Sequence, residues 1–238
     1  MIEKLYWKDA YVKEFDATVI GVNGNVISLD RTAFYPTGGG QLNDTGIIVV
    51  KGREYKVTDV KKEADEIMHF LESADGITVG DMAHCVIDWE RRYSLMKYHT
   101  AIHVLSAMLA RHQPDVKFTG GMIYVDKAHG DFDCPSLNKE LAAMVVQEMQ
   151  KVISEGHEVT SRFITHEEAI KIPNLIKTQP GEELTKGLEK IRIVEIEGVD
   201  LQADGGTHVH NTKELGTVLL KKFDNKGAHR KRIEIVLS

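Results

Sequence analysis

The pattern of apolar residues changes at Asp88, and the change divides the chain into two regions of different character. Before Asp88, short runs rich in β-branched residues are separated by turns, and the runs ATVIGV and VISLD flank Asn23-Gly24, a pair typical of two-residue hairpins. Within residues 89–111 the apolar residues instead recur at steps of three and four, as in an amphipathic helix. We therefore predict an α+β protein in which a small β-barrel-like domain, residues 1–88, precedes an α+β domain, residues 89–238.

The second region mixes both kinds of pattern. The sequence predicts a strand pair at KFTGGMIYV and GDFD, a helix from about Asn138 to Glu155, a strand at EVTSRFIT, and a short helix at THEEAIKI capped by Thr165. A strand at IRIVEIE and a terminal hairpin, VLLKKF with RIEIVL, complete it, while residues 174–189 read as a loop or short helix.

Composition excludes several protein classes. No apolar run approaches the 18 or so residues of a membrane helix, and the first residues lack the apolar stretch of a secretory signal. Cys85 and Cys134 form no CxxC pair and are too few for a disulfide framework, which fits a reducing compartment. We therefore predict a cytoplasmic protein, while its oligomeric state is left open.

The charge is unevenly distributed along the chain. A formal net charge of -6 argues against general nucleic-acid binding. Residues 221–238 nevertheless contain six Lys or Arg against two Asp or Glu. This segment is either a basic surface for RNA or the solvated face of a hairpin.

Histidines form the densest chemical signal. His99 and His103 lie at i and i+4 of the predicted helix, so that both imidazoles reach one metal ion. Asp204 and His208 follow in Asp-Gly-Gly-Thr-His, where the glycines are expected to adopt positive φ angles. Three histidines and one carboxylate form a ligand set suited to Zn²⁺, and they predict one zinc ion per chain.

Position 100 decides against one class of zinc enzyme. It is Thr100, where the HExxH metalloproteases have the glutamate that acts as general base. Thr100 and Thr207 are candidates to orient the imidazoles from behind. From these residues alone, a zinc hydrolase of a small ester or amide and a non-catalytic module with structural zinc both remain open.

A second signal is the glycine-rich segment that begins at Thr32 and ends at Asp44. It lacks the Lys-Ser/Thr of a P-loop and the GxGxxG spacing of a dinucleotide fold. Three consecutive glycines form either a hairpin turn or a loop whose N–H groups contact a ligand. A weaker cluster of the same kind combines Gly120 and Gly121 with Asp131.

Three segments together resemble the editing domain of alanyl-tRNA synthetase: TAFYPTGGGQLNDTG from Thr32, HTAIH from His99 and QADGGTHV from Gln202. A chain of this size without a synthetase core is similar to the medium form of the AlaX family of free-standing alanyl-tRNA editing proteins. The resemblance extends from about Thr32 to Arg232. It implies hydrolysis of the ester of tRNA(Ala) mischarged with serine, and often glycine, while alanyl-tRNA(Ala) is spared.

The resemblance also implies roles for individual residues. His99, His103 and His208 match the zinc ligands of the family, whereas Asp204 stands where the family commonly has cysteine, so Asp204 is either a ligand or a group that acts on water. Thr32 and Gln41 are the candidate catalytic contacts to the serine side chain or the ester. The candidate substrate-binding residues are Thr37, Gly38, Gly39, Gly40, Gly120, Gly121 and Asp131.

Overall fold

A computed structural model describes residues 2–64, 66–173, 175–176 and 187–238 of the chain. It separates into two compact units, Met1–Leu95 and Met96–Ser238. The mixed α+β class that the sequence predicted is confirmed, with a barrel in the first unit and helices and sheets in the second. The division into domains at residues 88 and 89 stays a prediction.

The first unit is a closed six-stranded barrel, with strand order β2-β3-β7-β6-β5-β8. Its elements are β1 (Glu3–Lys4), α1 (Leu5–Lys8), β2 (Glu14–Asn23), β3 (Val26–Leu29), β4 (Arg31–Thr32), β5 (Gly46–Val50), β6 (Arg53–Glu63), β7 (Glu66–Leu71) and β8 (Met82–Ile87). Alternating apolar residues of these strands fill its interior, among them Val19, Ile27, Leu29, Ile48 and Ile67, which are fully buried.

Turn chemistry sets the register of the barrel hairpins. Asn23-Gly24 joins β2 to β3, and Lys51-Gly52 joins β5 to β6, as the sequence predicted. Gly24 and Gly52 have φ angles of 58° and 77°, a left-handed conformation that glycine adopts without steric cost. Closure of the barrel pairs both edges of the sheet, so that β2 and β5 each bond to β8.

The second unit contains a four-stranded sheet, β14-β15-β10-β9, and a three-stranded sheet, β11-β12-β13. Its elements are most of α2 (Trp89–His112), β9 (Lys117–Ile123), β10 (Ala128–Asp133), α3 (Lys139–Glu155), β11 (Val159–Thr165), α4 (His166–Ala169), β12 (Lys190–Ile196), β13 (Asp200–Ala203), a 3-10 helix (Thr212–Leu215), β14 (Val218–Asn225) and β15 (Lys231–Leu237). Helix α3 packs against β14 through its apolar face.

Side-chain caps begin the two long helices at the predicted places. Asp88 accepts a hydrogen bond from the Arg91 N–H at the start of α2, and Asn138 accepts one from the Leu141 N–H at the start of α3. Gly156 ends α3 in the left-handed conformation. No helix in the described ranges combines the length and the apolar character needed to cross a membrane.

Some elements were not predicted from the sequence. Strand β13 pairs with β12 directly before the second half of the histidine motif. Helix α1 and the two-residue strands β1 and β4 were also missed because they are too short to show a period. Most of the predicted loop or short helix at 174–189 lies outside the described residues.

Candidate metal centre

Helix α2 and the segment after β13 bring four predicted metal ligands together within the second unit. His99 and His103 lie one helical turn apart on a buried face of α2, and their ring centroids are 5.2 Å apart. The ring of His208 lies 4.3 Å from that of His99 and 4.6 Å from that of His103. One donor atom from each histidine and one from Asp204 all lie within 4.8 Å of one another.

The three imidazoles present the same ring nitrogen to the carboxylate of Asp204. His208 Nε2 lies 3.1 Å from Asp204 Oδ2, while His99 Nε2 and His103 Nε2 lie 3.4 Å and 4.0 Å from Oδ1. The Nε2 atoms therefore converge on one point that Asp204 also faces. This is the arrangement of four ligands around a single ion.

The Nδ1 atoms point to partners behind the cluster. His208 Nδ1 lies 3.1 Å from the hydroxyl of Thr100, one of the two residues that the sequence suggested for this task. His103 Nδ1 lies 2.7 Å from the amide nitrogen of Gln202 and 3.2 Å from Asp200 Oδ2. Such contacts fix the orientation and the tautomer of a ligating imidazole.

Sequence reasoning missed Asp200 and Gln202. The signal was present, because Asp200, Gln202 and Asp204 alternate and alternate residues of a strand face the same side. It was overlooked because β13 is only four residues long and was not predicted as a strand.

Gly206 is required for a steric reason. A Cβ at this position would lie 2.1 Å from His99 Cε1 and 2.3 Å from His99 Nδ1, whereas a Cβ at Gly205 would contact nothing within 4 Å. Neither glycine has a positive φ angle, so the predicted left-handed turn is wrong. The loop is held by Arg192, whose guanidinium donates to the carbonyls of Asp204 and Gly206.

The protonation states inside the cluster suit a metal site. Burial alone would raise the pKa of Asp204, but the neighbouring His99 and the hydrogen bond from His208 hold that pKa well below its usual value. Burial, reinforced by His99, holds the pKa of His208 well below its usual value. At neutral pH Asp204 is therefore a carboxylate and His208 a neutral imidazole, which are the forms that bind metal ions. The donor set, three nitrogens and one oxygen, fits zinc.

The glycine-rich segment forms a tight hairpin in the first unit. Gly38 and Gln41 exchange two backbone hydrogen bonds of 3.1 Å and 2.9 Å, and Gly39 and Gly40 between them have φ angles of 59° and 79°. Two consecutive positive φ angles define a type I′ turn, so the hairpin alternative has a structural basis. Because the Gly38 N–H donates to Gln41, Gly39 and Gly40 are the better candidates for N–H groups directed at a ligand.

The two candidate catalytic residues of this segment are fully buried. Thr32 Oγ1 lies 2.9 Å from His69 Nε2 and accepts a hydrogen bond from the Phe34 N–H. Gln41 is also fully buried, whereas Thr37 is exposed and its hydroxyl accepts from the Asn43 N–H. The sequence alone gave no indication of the contact with His69.

A buried ion pair anchors the end of the segment. Asp44 accepts hydrogen bonds from the guanidinium of Arg92 and from the Tyr35 N–H, and both charged side chains are fully buried. Arg92 also donates to the carbonyls of Ala10 and Ala33. The pair thereby fixes the two ends of the glycine-rich hairpin within the first unit.

The weaker glycine cluster has packing reasons of its own. Gly120 is paired with Asp131 across β9 and β10, and a Cβ at Gly121 would lie 2.7 Å from the carbonyl of His129. Asp131 accepts hydrogen bonds from Arg230 and Arg232, which lower its pKa to about 2 against the opposing effect of burial. These contacts give each residue a structural role, and their part in substrate binding stays a prediction.

The basic C-terminal segment forms the hairpin β14-β15, and many of its charges are paired. Lys221 lies 3.5 Å from Glu234, Lys222 lies 2.9 Å from Asp224, and Lys231 is buried against Asn225. The ordinary hairpin face therefore explains much of the local charge.

Comparison with known proteins agrees with this geometry. A family model described as tRNA synthetases class II (A) matches residues 6–91, and one described as Threonyl and Alanyl tRNA synthetase second additional domain matches residues 191–234. The alanyl-tRNA editing protein AlaX-M of Saccharolobus solfataricus is 43% identical, with 98% of each chain covered. The chain belongs to the AlaX-M family of alanyl-tRNA editing proteins. The AlaX-M of Methanosarcina mazei is 37% identical over 98% of this chain and 95% of its own length.

The family relationship also reaches the synthetases. The alanine–tRNA ligase of Ignicoccus hospitalis is 40% identical over 90% of this chain, and the matched part is 24% of that ligase. The AlaX-M family therefore corresponds to one part of a much longer enzyme. The resemblance that the three sequence motifs indicated is confirmed.

Proposed function

We propose that this protein is a zinc-dependent deacylase that hydrolyses the ester of tRNA(Ala) mischarged with serine or glycine and spares alanyl-tRNA(Ala). The convergence of His99, His103, His208 and Asp204 on one point carries the proposal, together with membership of an editing family along the whole chain. An aminoacyl ester is already reactive, so positioning and charge stabilisation suffice for its hydrolysis.

The four ligands would hold one zinc ion. When bound there, zinc would lower the pKa of a water molecule or orient the α-amino group of the substrate. Asp204 is the ligand that differs from the family pattern, and its carboxylate faces all three Nε2 atoms. It can therefore complete the coordination or accept a proton from attacking water.

Selectivity requires a polar group that recognises the serine hydroxyl. A site that hydrogen-bonds a hydroxyl disfavours the analogue that lacks it, by up to about 10⁴-fold. We assign this recognition to Thr32 and Gln41. The Thr32 oxygen bonds to the neutral ring of His69 and accepts from Phe34, which fixes the direction of its remaining lone pair. Thr37, Gly39 and Gly40 are proposed to contact the terminal adenosine, because Thr37 and Gly39 are exposed at the tip of the hairpin.

Deacylation assays test the substrate assignment. The protein is incubated with Ser-tRNA(Ala), Gly-tRNA(Ala) and Ala-tRNA(Ala), and with a small serine ester as a fourth substrate. We expect rapid loss of serine and glycine from tRNA and little loss of alanine. Equal rates on seryl- and alanyl-tRNA would refute the editing proposal, and activity on the small ester alone would favour a general zinc esterase.

Paired variants on one helix test the metal assignment. His103→Ala removes a ligand, while His112→Ala removes a histidine in the last turn of α2 that bonds to Glu148. We expect His103→Ala to lose bound zinc and deacylation, and His112→Ala to retain both. If removing zinc with a chelator unfolds the wild-type protein, as followed by circular dichroism, zinc has a structural role.

A further inference from the structure

A buried carboxylate lies behind the metal centre. The side chain of Asp200 is fully buried on β13, and its Oδ2 lies 3.2 Å from Nδ1 of His103, on the side of the ring opposite to Asp204. No part of the proposed mechanism uses this group. A buried carboxylate is retained only when partners offset the cost of removing it from water.

Gln202 is the second partner of the same imidazole. Its amide nitrogen lies 2.7 Å from Asp200 Oδ2 and 2.7 Å from His103 Nδ1. Two proton arrangements satisfy this triangle. Either the amide donates to a bare Nδ1, which leaves the proton on Nε2, or Nδ1 carries the proton and donates to Asp200.

The surroundings favour a proton on Nδ1. A carboxylate only accepts, and a hydrogen bond to an ionised acceptor is about twice as strong as a neutral one. The amide of Gln202 still donates to Asp200 in this arrangement, so the carboxylate receives two hydrogen bonds. Nε2 is then bare, on the side where the Nε2 atoms of His99 and His208 also converge.

His208 shows a similar arrangement with a neutral partner. Its Nδ1 lies 3.1 Å from Thr100 Oγ1, and that oxygen also accepts from the Val209 N–H. Two of the ligating imidazoles thus have an oxygen acceptor behind Nδ1. The acceptor behind His103 differs in carrying a full negative charge.

We propose that Asp200 is the positioning residue of the metal centre: it accepts the Nδ1 proton of His103 and so turns the Nε2 lone pair toward the metal, while Gln202 holds the carboxylate in place. The proposal rests on the zinc site of the proposed function. It assigns to the alternate residues Asp200, Gln202 and Asp204 one orienting carboxylate, one support and one ligand.

Zinc affinity is the first test, measured by competition with a chromogenic chelator. Asp200→Asn and Asp200→Ala are expected to bind zinc about 10- to 100-fold more weakly than wild type, as for loss of a group that orients a ligand. Asp131→Asn is the matched control, because Asp131 is an equally buried carboxylate of the same unit whose partners are Arg230 and Arg232. Its zinc affinity should equal that of wild type.

A second measurement does not depend on any variant folding. The ring nitrogens of His103 are observed by ¹⁵N NMR in the metal-free wild-type protein, where a proton on Nδ1 supports the proposal and one on Nε2 overturns it. Unchanged zinc affinity in folded Asp200 variants also overturns it. If the wild-type protein binds no zinc while His103 has its proton on Nδ1, the proposed zinc site fails and the orienting contact stands.

Discussion

His69 should make the first unit sensitive to acid. Its ring is fully buried on β7, with Nδ1 3.3 Å from the carbonyl of Ile27 and Nε2 2.9 Å from the hydroxyl of Thr32. Burial lowers the pKa of His69 from 6.5 to about 4, although the contact with the Ile27 carbonyl acts in the opposite direction. At neutral pH the ring is therefore uncharged, and its Nε2 accepts the proton of the Thr32 hydroxyl.

The sign of the effect follows from proton uptake. In the unfolded chain His69 binds a proton as the pH falls below about 6.5, whereas in the folded protein it does so only near pH 4. Its contribution to stability is therefore complete above about pH 6.5 and is lost between there and pH 4. The difference between the two pKa values corresponds to about 3 kcal/mol in total, of which about 2 kcal/mol is lost between pH 7 and pH 5.

Urea unfolding of wild type and His69→Gln at several pH values measures this term. Other titrating groups contribute equally to both proteins, so the difference in unfolding free energy isolates His69. That difference should fall by about 2 kcal/mol from pH 7 to pH 5. Phe34→Leu is the control, because Phe34 packs edge-on to the His69 ring at 5.5 Å and has no titrating group. Its difference from wild type should not change with pH.

Parallel pH curves for wild type and His69→Gln would refute the reasoning. They would mean that the histidine is protonated in the folded protein as readily as in the unfolded chain. The assignment of Thr32 as a donor to a neutral ring would then fail as well, because a protonated Nε2 donates to the Thr32 oxygen.

Three further substitutions test other parts of the structure. Gly206→Ala should remove most of the bound zinc, because its Cβ would overlap a histidine ring of the cluster, whereas Gly205→Ala should not; zinc content after dialysis distinguishes them. Asp204→Cys should bind zinc more tightly than wild type and Asp204→Ala more weakly, as measured by chelator competition, because thiolate is the softer ligand; the reverse order would contradict ligation by Asp204. Arg92→Leu leaves Asp44 buried without its counter-charge and should lower the unfolding free energy by about 3–5 kcal/mol in urea titrations; a loss below about 1 kcal/mol would show that the pair is not buried as described.

The sequence by itself determined the elements that depend on local patterns. Period-two runs and the Asn-Gly and Lys-Gly turns predicted the barrel hairpins, and caps at Asp88 and Asn138 marked the two long helices. The i, i+4 spacing of His99 and His103 predicted that both would face one metal. These features could be predicted because each is set by residues within a few positions of one another.

Only the tertiary structure decided what lies opposite these residues. Strand β13 brings Asp200 and Gln202 behind His103 from about a hundred positions along the chain, and no local pattern encodes that distance. The requirement for Gly206 was predicted with the wrong reason, because the constraint is the ring of His99 and not the backbone angle. Side chains far apart in sequence meet through packing, and packing fixes which nitrogen of each imidazole faces the metal.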